Sequence, residues 1–516
     1  MFTRRAYLKG TAALAASAAL GLSLKTKNAN SRESGELAIA VHSNPPQLDS
    51  LRLQTIPAFQ VAASIYDFPI RTDYRNGLSR LPGLARSWRM LDAKTMEMTF
   101  RSGVKFHNGE EMTSDDVAFT FGPKRMGNNL PGSGLAKLFF DTIDGVEVVD
   151  RYTVRVTTRA PDPLLESRLA GWGSQIISRK AFEKVNDWDR WAKSPVGTGP
   201  YRVAEFRDNE FIRLAAHEQY WAGKPPHAAL RFQVVPEAVG RVNGLLAGDY
   251  DLVADVSPDQ ISQIQSARGF NVVGGSTLNM RVLTFDATEG PMRDPRIRRA
   301  LSLAIDRNLI ATALYGGRVS VPNGFQWKAY GDLYIADFDG AQFDPQMARQ
   351  LLKEAGYRGE PIVYRSQASY YTAELQTAQI LLDMWKKVGL NIHLQIVENW
   401  DQVWKKPNGG IFNGSINMIY PDAMGTLWPL YGPSGFIRTL AHAWSDTNFD
   451  AIGTELLTLT DRAKRRAYHK QILEVFERVN PPGTVLHQSG MFYGKRANLN
   501  WTPYPLPYMD FGPVNV

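Results

Sequence analysis

Between Arg293 and Val397 one rhythm repeats: an amphipathic helical stretch, a glycine stop, then a strand-like run. Arg293 to Leu314 reads as a helix. Asp294 is placed to cap its start, Pro295 suits the first turn, and Ile297, Leu301, Ala304 and Ile305 form an apolar stripe. Gly316-Gly317 ends it. Asp344-Pro345 starts a second helix through Leu351-Leu352 to Glu354, stopped at Gly356. Thr372 to Val388 is a third, followed by Gly389 and the strand Asn391 to Val397. Helices that alternate with strands must layer onto a sheet to bury their apolar stripes, so the fold class is α/β. Glu36 to Val41 reads as an opening strand, and Met96 to Phe100 and Val146 to Thr158 alternate with period two. A chain of 516 residues exceeds one domain, and two to four domains or lobes are expected.

The N-terminus carries Arg4-Arg5 with Tyr7-Leu8-Lys9 behind them, then a small-residue apolar run from Thr11 to Leu24. A basic segment followed by a short apolar one is the layout of an export signal, and the arginine pair resembles the bacterial twin-arginine motif. Residues 1–29 are assigned to it, and the bond cleaved is left open, with Ala29 as a candidate and Lys27 a poor residue before it. The formal charge of +8 then changes meaning. The segment holds Arg4, Arg5, Lys9, Lys25 and Lys27 and no acid, so 59 basic residues fall to 54 against 51 acids, and the net becomes +3. Basic residues are otherwise dispersed, and no nucleic-acid partner is expected. The chain has no cysteine, which excludes disulfides, thiolate metal sites, a cysteine nucleophile and a lipid-modified cysteine. The expectation is an exported, freely diffusing periplasmic protein, monomeric and without cofactor or metal.

No catalytic signature stands out. Gly197-Thr198-Gly199-Pro200 lacks the third glycine and the helix start of a dinucleotide loop, and Pro200 makes it a turn. His217-Glu218 has no second histidine four residues on, and no Gly-x-Ser-x-Gly elbow occurs. A carboxylate pair assembled by folding stays open as a hydrolase alternative. Binding is favoured over chemistry, and the protein is read as not an enzyme.

Several stretches resemble the extracellular solute-binding proteins of peptide and nickel ABC importers, family 5. They are Pro82-Gly83-Leu84-Ala85-Arg86-Ser87-Trp88, Phe100 to Gly109 with Met112 to Phe119, Val196 to Tyr201, Asp294 to Leu301 with Ala304 to Arg307, and Leu351 to Tyr357. Each also has a scaffold reading. Thr113 beside Asp115-Asp116, for example, can cap a helix burying Val117 and Phe121. The resemblance implies a two-lobed periplasmic-binding-protein fold of type II, with the extra domain of the peptide-binding group. Lobe I would comprise 36–75, 195–280 and 483–516, the extra domain 76–194, and lobe II 281–482. It also implies a peptide or peptide-like ligand held between the lobes, and docking of the closed form on a membrane permease with its ATPase.

For the cleft, the resemblance points to the segment Asn417-Met418-Ile419-Tyr420-Pro421-Asp422-Ala423. Asp422 matches an acidic position of the family, while Ile419 stands where an amine-holding aspartate is expected. Either another carboxylate substitutes, or the ligand is not an ordinary free-amine peptide. Trp400, Trp404, Trp428 and Tyr431 fall in segments that line the cleft in the family, and flat rings stack on sugar faces as well as on apolar side chains. An oligosaccharide or sugar conjugate is therefore the alternative ligand, with core packing as the competing role for each ring. Arg365 ends a strand-like run and is read either as a bidentate partner for a ligand carboxylate or as a solvated or lobe-bridging arginine. Asn44 follows the first strand, and Asn279 and Arg281 lie near the expected lobe crossing. The candidate ligand set is thus Asn44, Asn279, Arg281, Arg365, Trp400, Asn417, Asp422 and Trp428.

Overall fold

The structure, a computed structural model, describes residues 35–514 apart from residues 54, 341, 369 and 370. The export-signal assignment and the candidate cleavage position at Ala29 lie outside the described residues.

The opening strand Glu36–Val41 forms as its β-branched and apolar composition requires, and five of its six residues are buried. It pairs in parallel with Ala229–Val234 on one side and Leu252–Val253 on the other. Burial on both faces is why this strand reads as a continuous apolar run. It belongs to a sheet of ten strands. In spatial order they are Ile392–Ile396, Ile362–Ser366, Gly410–Asn417, Phe270–Phe285, Gly483–Arg496, Leu252–Val253, Glu36–Val41, Ala229–Val234, Phe211–Ala216 and Tyr201–Arg207.

Two long antiparallel strands, Phe270–Phe285 and Gly483–Arg496, carry the chain between the halves of this sheet. Their pairing is regular from Phe270↔Arg496 to Ser276↔Gly490, breaks, and resumes at Met280↔Gln488. Gly274 adopts φ 104°, and a Cβ there would lie 2.2 Å from the Met491 carbonyl oxygen, so only glycine fits the close approach. The half carrying Glu36–Val41 is lobe I below, and the half carrying Gly410–Asn417 is lobe II.

Lobe II owes its core to the helix–strand rhythm. The helices Pro295–Leu303, Pro345–Glu354 and Glu374–Lys387 bury Leu301, Leu352, Leu381 and Trp385 against Leu283, Ile362 and Ile411. Each such fully buried side chain contributes about 1.5–3 kcal/mol. Asp344 caps its helix by accepting from the Gln346 and Met347 amides at 3.1 and 2.9 Å. The single helix expected from Arg293 to Leu314 is two, Pro295–Leu303 and Arg307–Tyr315. Asp306 is the reason: its carboxylate accepts from the Leu309 amide at 2.9 Å and restarts the helix as an N-cap. Apolar periodicity runs across such a break and does not reveal it.

A separate antiparallel sheet has the order Ala85–Met90, Thr95–Phe100, Thr153–Thr158, Ile143–Asp150. Met96, Met98, Phe100, Val154 and Val156 point inward and are buried, as period-two alternation demands. The alternating stretch Val146 to Thr158 forms strand, as two strands of a hairpin that turns at Arg151-Tyr152. The Asp150 carboxylate accepts from the Tyr152 amide at 2.8 Å and closes that turn. The helix Ser114–Thr120 follows Thr113, whose amide donates to the Asp116 carboxylate at 2.9 Å.

The sequence blocks meet physically. The His107 amide donates to Gly197 O at 3.0 Å, and its ring lies 3.0 Å from Gly199 O. Burial pushes the His107 imidazole down to about 3. Gly197 and Gly199 press on Ile65, where a Cβ at either would come within 2.4 Å of backbone. These blocks are joints between regions of the chain.

Candidate functional site

Lobe II meets the region of the separate four-stranded sheet at Tyr420, which follows the strand Gly410–Asn417. Its ring stands edge-on to Phe139, centroids 6.4 Å apart, with the Arg168 guanidinium 5.6 Å from its centroid. Opposite it lies Gly171, where a Cβ would be 3.1 Å from Tyr420 Cε1 and 2.9 Å from Ser167 O. A side chain at 171 would wedge the seam. Burial raises the Tyr420 hydroxyl above its ordinary pKa, so it stays neutral. Arg168 is held for this role: it donates to Asp162 Oδ2 at 2.7 Å and to Phe139 O at 2.6 Å.

Beside the seam is an aromatic wall. Trp172 stacks on Tyr508 at 5.8 Å and takes Phe59 edge-on at 4.0 Å, and Tyr74 contacts Tyr504 and Tyr508 at 5.3 and 5.8 Å. Tyr504 and Tyr508 belong to the segment Trp501 to Met509, whose Pro- and Tyr-rich composition suits an extended run laid across a surface. A cavity of about 60 Å³ remains there, bounded by Tyr66, Asp67, Tyr74, Trp172, Gln175 and Tyr508 among others. Asp67 accepts from Tyr220 Oη at 2.9 Å, Trp221 Nε1 at 3.0 Å and Thr198 Oγ1 at 3.0 Å. Burial outweighs those three donors and pushes its carboxyl up to about 6.

Arg80 and Thr72 pair across a two-stranded hairpin that borders this wall. Arg80 donates to Thr72 Oγ1 at 2.5 Å and to Ser167 Oγ at 2.6 Å.

The candidate residues chosen from sequence fall into three groups. Asn279 and Asn417 come together where the crossing strands lose register, with Asn279 Nδ2 donating to Asn417 Oδ1 at 2.7 Å. Ser489 Oγ donates to Asn279 Oδ1, and Thr277 Oγ1 donates to Ser489 O at 2.9 Å. Asn44 stands apart from these, donating to Arg207 O at 3.1 Å.

A second group carries charges already answered within the fold. Arg281 is buried, donates to Glu374 Oε2 and Gly414 O, and lies 3.3 Å from the Tyr371 ring centroid. Asp422 is buried and accepts from Arg465 Nη2 at 2.6 Å and Nε at 3.1 Å, while also accepting from the Met424 amide at 2.8 Å. Arg365 donates to Gln402 O, Lys405 O and Pro407 O at 3.0, 2.8 and 2.8 Å and to Gln395 Oε1 at 3.1 Å. Of the two readings of Arg365, these contacts match the packing one: its fork ties the segment 402–407 to the strand Ile362–Ser366. Asp422 likewise has no charge to offer an amine. Ile419 is half-buried and packs on the core.

The rings form the third group. Trp400 meets Tyr371 edge-on at 6.0 Å, and Trp404 meets Phe436 at 5.3 Å. Trp428 lies on Phe449 at 5.6 Å, and a Cβ on Gly453 would come within 1.9 Å of it. Tyr431 is buried among Phe325, Trp444 and Phe476. Packing accounts for all four. Sequence reasoning missed Tyr420, Arg80, Trp172 and Tyr508. Tyr420 sat one residue from the position it weighed, and the tyrosines of the tail were the visible signal for Tyr508.

The model of the "Bacterial extracellular solute-binding proteins, family 5 Middle" matches residues 81–437. Heme-binding protein A of Haemophilus influenzae is 27% identical over 84% of this chain and 84% of its own length. The dipeptide-binding protein of Escherichia coli is 26% identical over 76% of this chain and 77% of its own. Among solved structures, the ABC transporter substrate-binding protein CtaP from Listeria monocytogenes superposes with TM-score 0.82 at 19% identity, covering 93% of this chain and 99% of that one. The dipeptide-binding protein from Pseudoalteromonas in complex with Met-Leu gives 0.78 at 22% identity, covering 91% and 98%. These structures share the two-lobed α/β fold. The chain belongs to the bacterial extracellular solute-binding proteins of family 5.

Proposed function

We propose that this protein is the periplasmic capture component of an ABC importer, closing its lobes on a peptide or peptide-like solute and delivering it to the membrane permease and its ATPase. The carrying observation is the seam at Tyr420, where a lobe II ring fits a glycine-sized gap at residue 171 beside an aromatic-walled cavity. Relatives that bind dipeptides support the solute class. The Arg4-Arg5 motif supports export in the folded state, and the absence of cysteine supports a form without a lipid-modified cysteine. In this reading residues 36–75, 195–280 and 483–516 act as lobe I, 76–194 as the extra domain and 281–482 as lobe II.

Closure is the functional step. A micromolar solute supplies about −8.2 kcal/mol. It shifts the open–closed balance only by the contacts it makes better in the closed form. A ligand that touches Tyr420 and the aromatic wall together makes such contacts. The rings that motivated the sugar alternative, Trp400 and Trp428, are committed to Tyr371 and Phe449, so no observation favours it. The protein works by binding and release, with no bond made or broken.

The test is thermal unfolding of ligand-stripped protein against dipeptides, tripeptides and oligosaccharides. At a hundredfold excess over Kd a bound solute adds about 2.7 kcal/mol, an upward shift in Tm. A shift with peptides supports the proposal. A shift with oligosaccharides alone, or release of hydrolysed products seen by mass spectrometry, overturns it.

A further inference from the structure

Arg168 and Arg80 both stand near Tyr420, and they differ in one respect. Arg168 is answered by the Asp162 carboxylate at 2.7 Å. Among the described residues Arg80 makes no ion pair. Its partners are two neutral hydroxyls, Thr72 Oγ1 at 2.5 Å and Ser167 Oγ at 2.6 Å. Among the described residues no carboxylate oxygen lies within 4.0 Å of it. Glu166, the nearest acid in sequence to Ser167, is exposed and accepts from Trp88 Nε1 at 3.0 Å.

A half-buried guanidinium without a counter-ion is costly to keep, because desolvation removes water that the hydroxyls only partly replace. That strain is visible in its proton affinity: burial lowers it, while Tyr74, Glu166 and Tyr420 pull it back up. Ser167, which accepts from Arg80 at 2.6 Å, borders Tyr420: a Cβ at Gly171 would lie 2.9 Å from Ser167 O and 3.1 Å from Tyr420 Cε1, so Arg80 stands beside the face that lobe II meets. The two hydroxyls fix the plane of the guanidinium and use two of its five N–H donors. Thr72 holds it from the paired strand and Ser167 from the helix Leu165–Leu169. What is left is an oriented fork with its charge unspent, the geometry that matches a carboxylate bidentately.

We propose that Arg80 is the clamp for the anionic end of the transported solute, binding its carboxylate against Tyr420 when the lobes close. The inference rests on the peptide reading above and sharpens it. Arg365 is tied to backbone carbonyls and Asp422 to Arg465, so the acid end of the peptide is the end this cleft recognises by charge. The departure at Ile419 fits that preference, since the segment brings no carboxylate for an amine.

The experiment titrates the dipeptide Met-Leu as the free acid and as its C-terminal amide into ligand-stripped full-length protein, by calorimetry. The native chain should prefer the acid by about 10- to 150-fold, the range of one charge-assisted pair. Arg80→Met should bind both forms within about threefold of each other, at the affinity the native chain shows for the amide. Arg80→Lys, which keeps the charge but not the fork, should retain a reduced preference and guards against a folding defect in the first variant. A native protein that binds acid and amide alike, or an acid preference that persists in both variants, overturns the clamp while leaving the peptide reading intact. A native protein that binds neither Met-Leu form nor any other peptide overturns both.

Discussion

Arg281 and Arg80 are both shielded arginines, in opposite electrostatic settings. Arg281 has a buried carboxylate, a carbonyl and an aromatic ring around it, and Glu374 in turn accepts from Tyr364 Oη at 3.0 Å and Ser366 Oγ at 2.6 Å. Every charge in that cluster has a partner from the same lobe. Arg80 has hydroxyls alone. The difference teaches how to tell a scaffold charge from a binding charge in this fold. The first is completed by the chain, and the second is completed only by something that enters.

The largest test of the contrast is Glu374→Ala. It leaves Arg281 buried and unpaired, which should cost about 3–5 kcal/mol in urea unfolding. Arg80→Met removes no carboxylate partner and should change stability by less than about 1 kcal/mol. Equal losses from the two variants would erase the distinction.

The next effect is in pH. Asp67 has its folded value raised to about 6, against about 3.9 when unfolded. The native state therefore binds the extra proton, and the contribution is fully present below about pH 4 and lost as pH rises through about 6. Two units correspond to about 3 kcal/mol. Asp67→Asn should flatten the stability profile over that window, read from urea midpoints at several pH values. An unchanged slope would show that Asp67 is not the group responsible.

Gly171→Val acts on the seam instead of the scaffold. A Cβ at 171 meets Tyr420 Cε1 at 3.1 Å and the Ser167 carbonyl oxygen at 2.9 Å. Overpacking of about 1–3 kcal/mol, felt by the closed form, should weaken solute binding about 5- to 150-fold. Small-angle scattering should show a larger radius of gyration for the liganded variant. A native radius with native affinity would remove Tyr420 from the closing surface.

Smallest is Asp306→Ala, which deletes one helix cap far from the seam and should cost about 1 kcal/mol with binding unchanged.

Much of the fold was legible because local rules and global packing agree along most of the chain. Glu36–Val41 and Pro345–Glu354 form where composition and capping placed them. Asp306 was missed because an N-cap inside an apolar periodicity does not disturb the pattern. The site was less legible. Asn279 and Asn417 do meet, since both sit at the strand crossing. Arg281, Arg365 and Asp422 looked equally free in one dimension, yet each has partners between 30 and 133 positions away.

The sequence by itself determined the α/β layering, the family and the turns that join its blocks, because periodicity, caps and glycines act over a few residues. Tertiary structure alone decided which charges are finished and which remain open. Partner distance, not residue type, separates Arg365 from Arg80, and that distance exists only once strands far apart in the chain have been brought side by side.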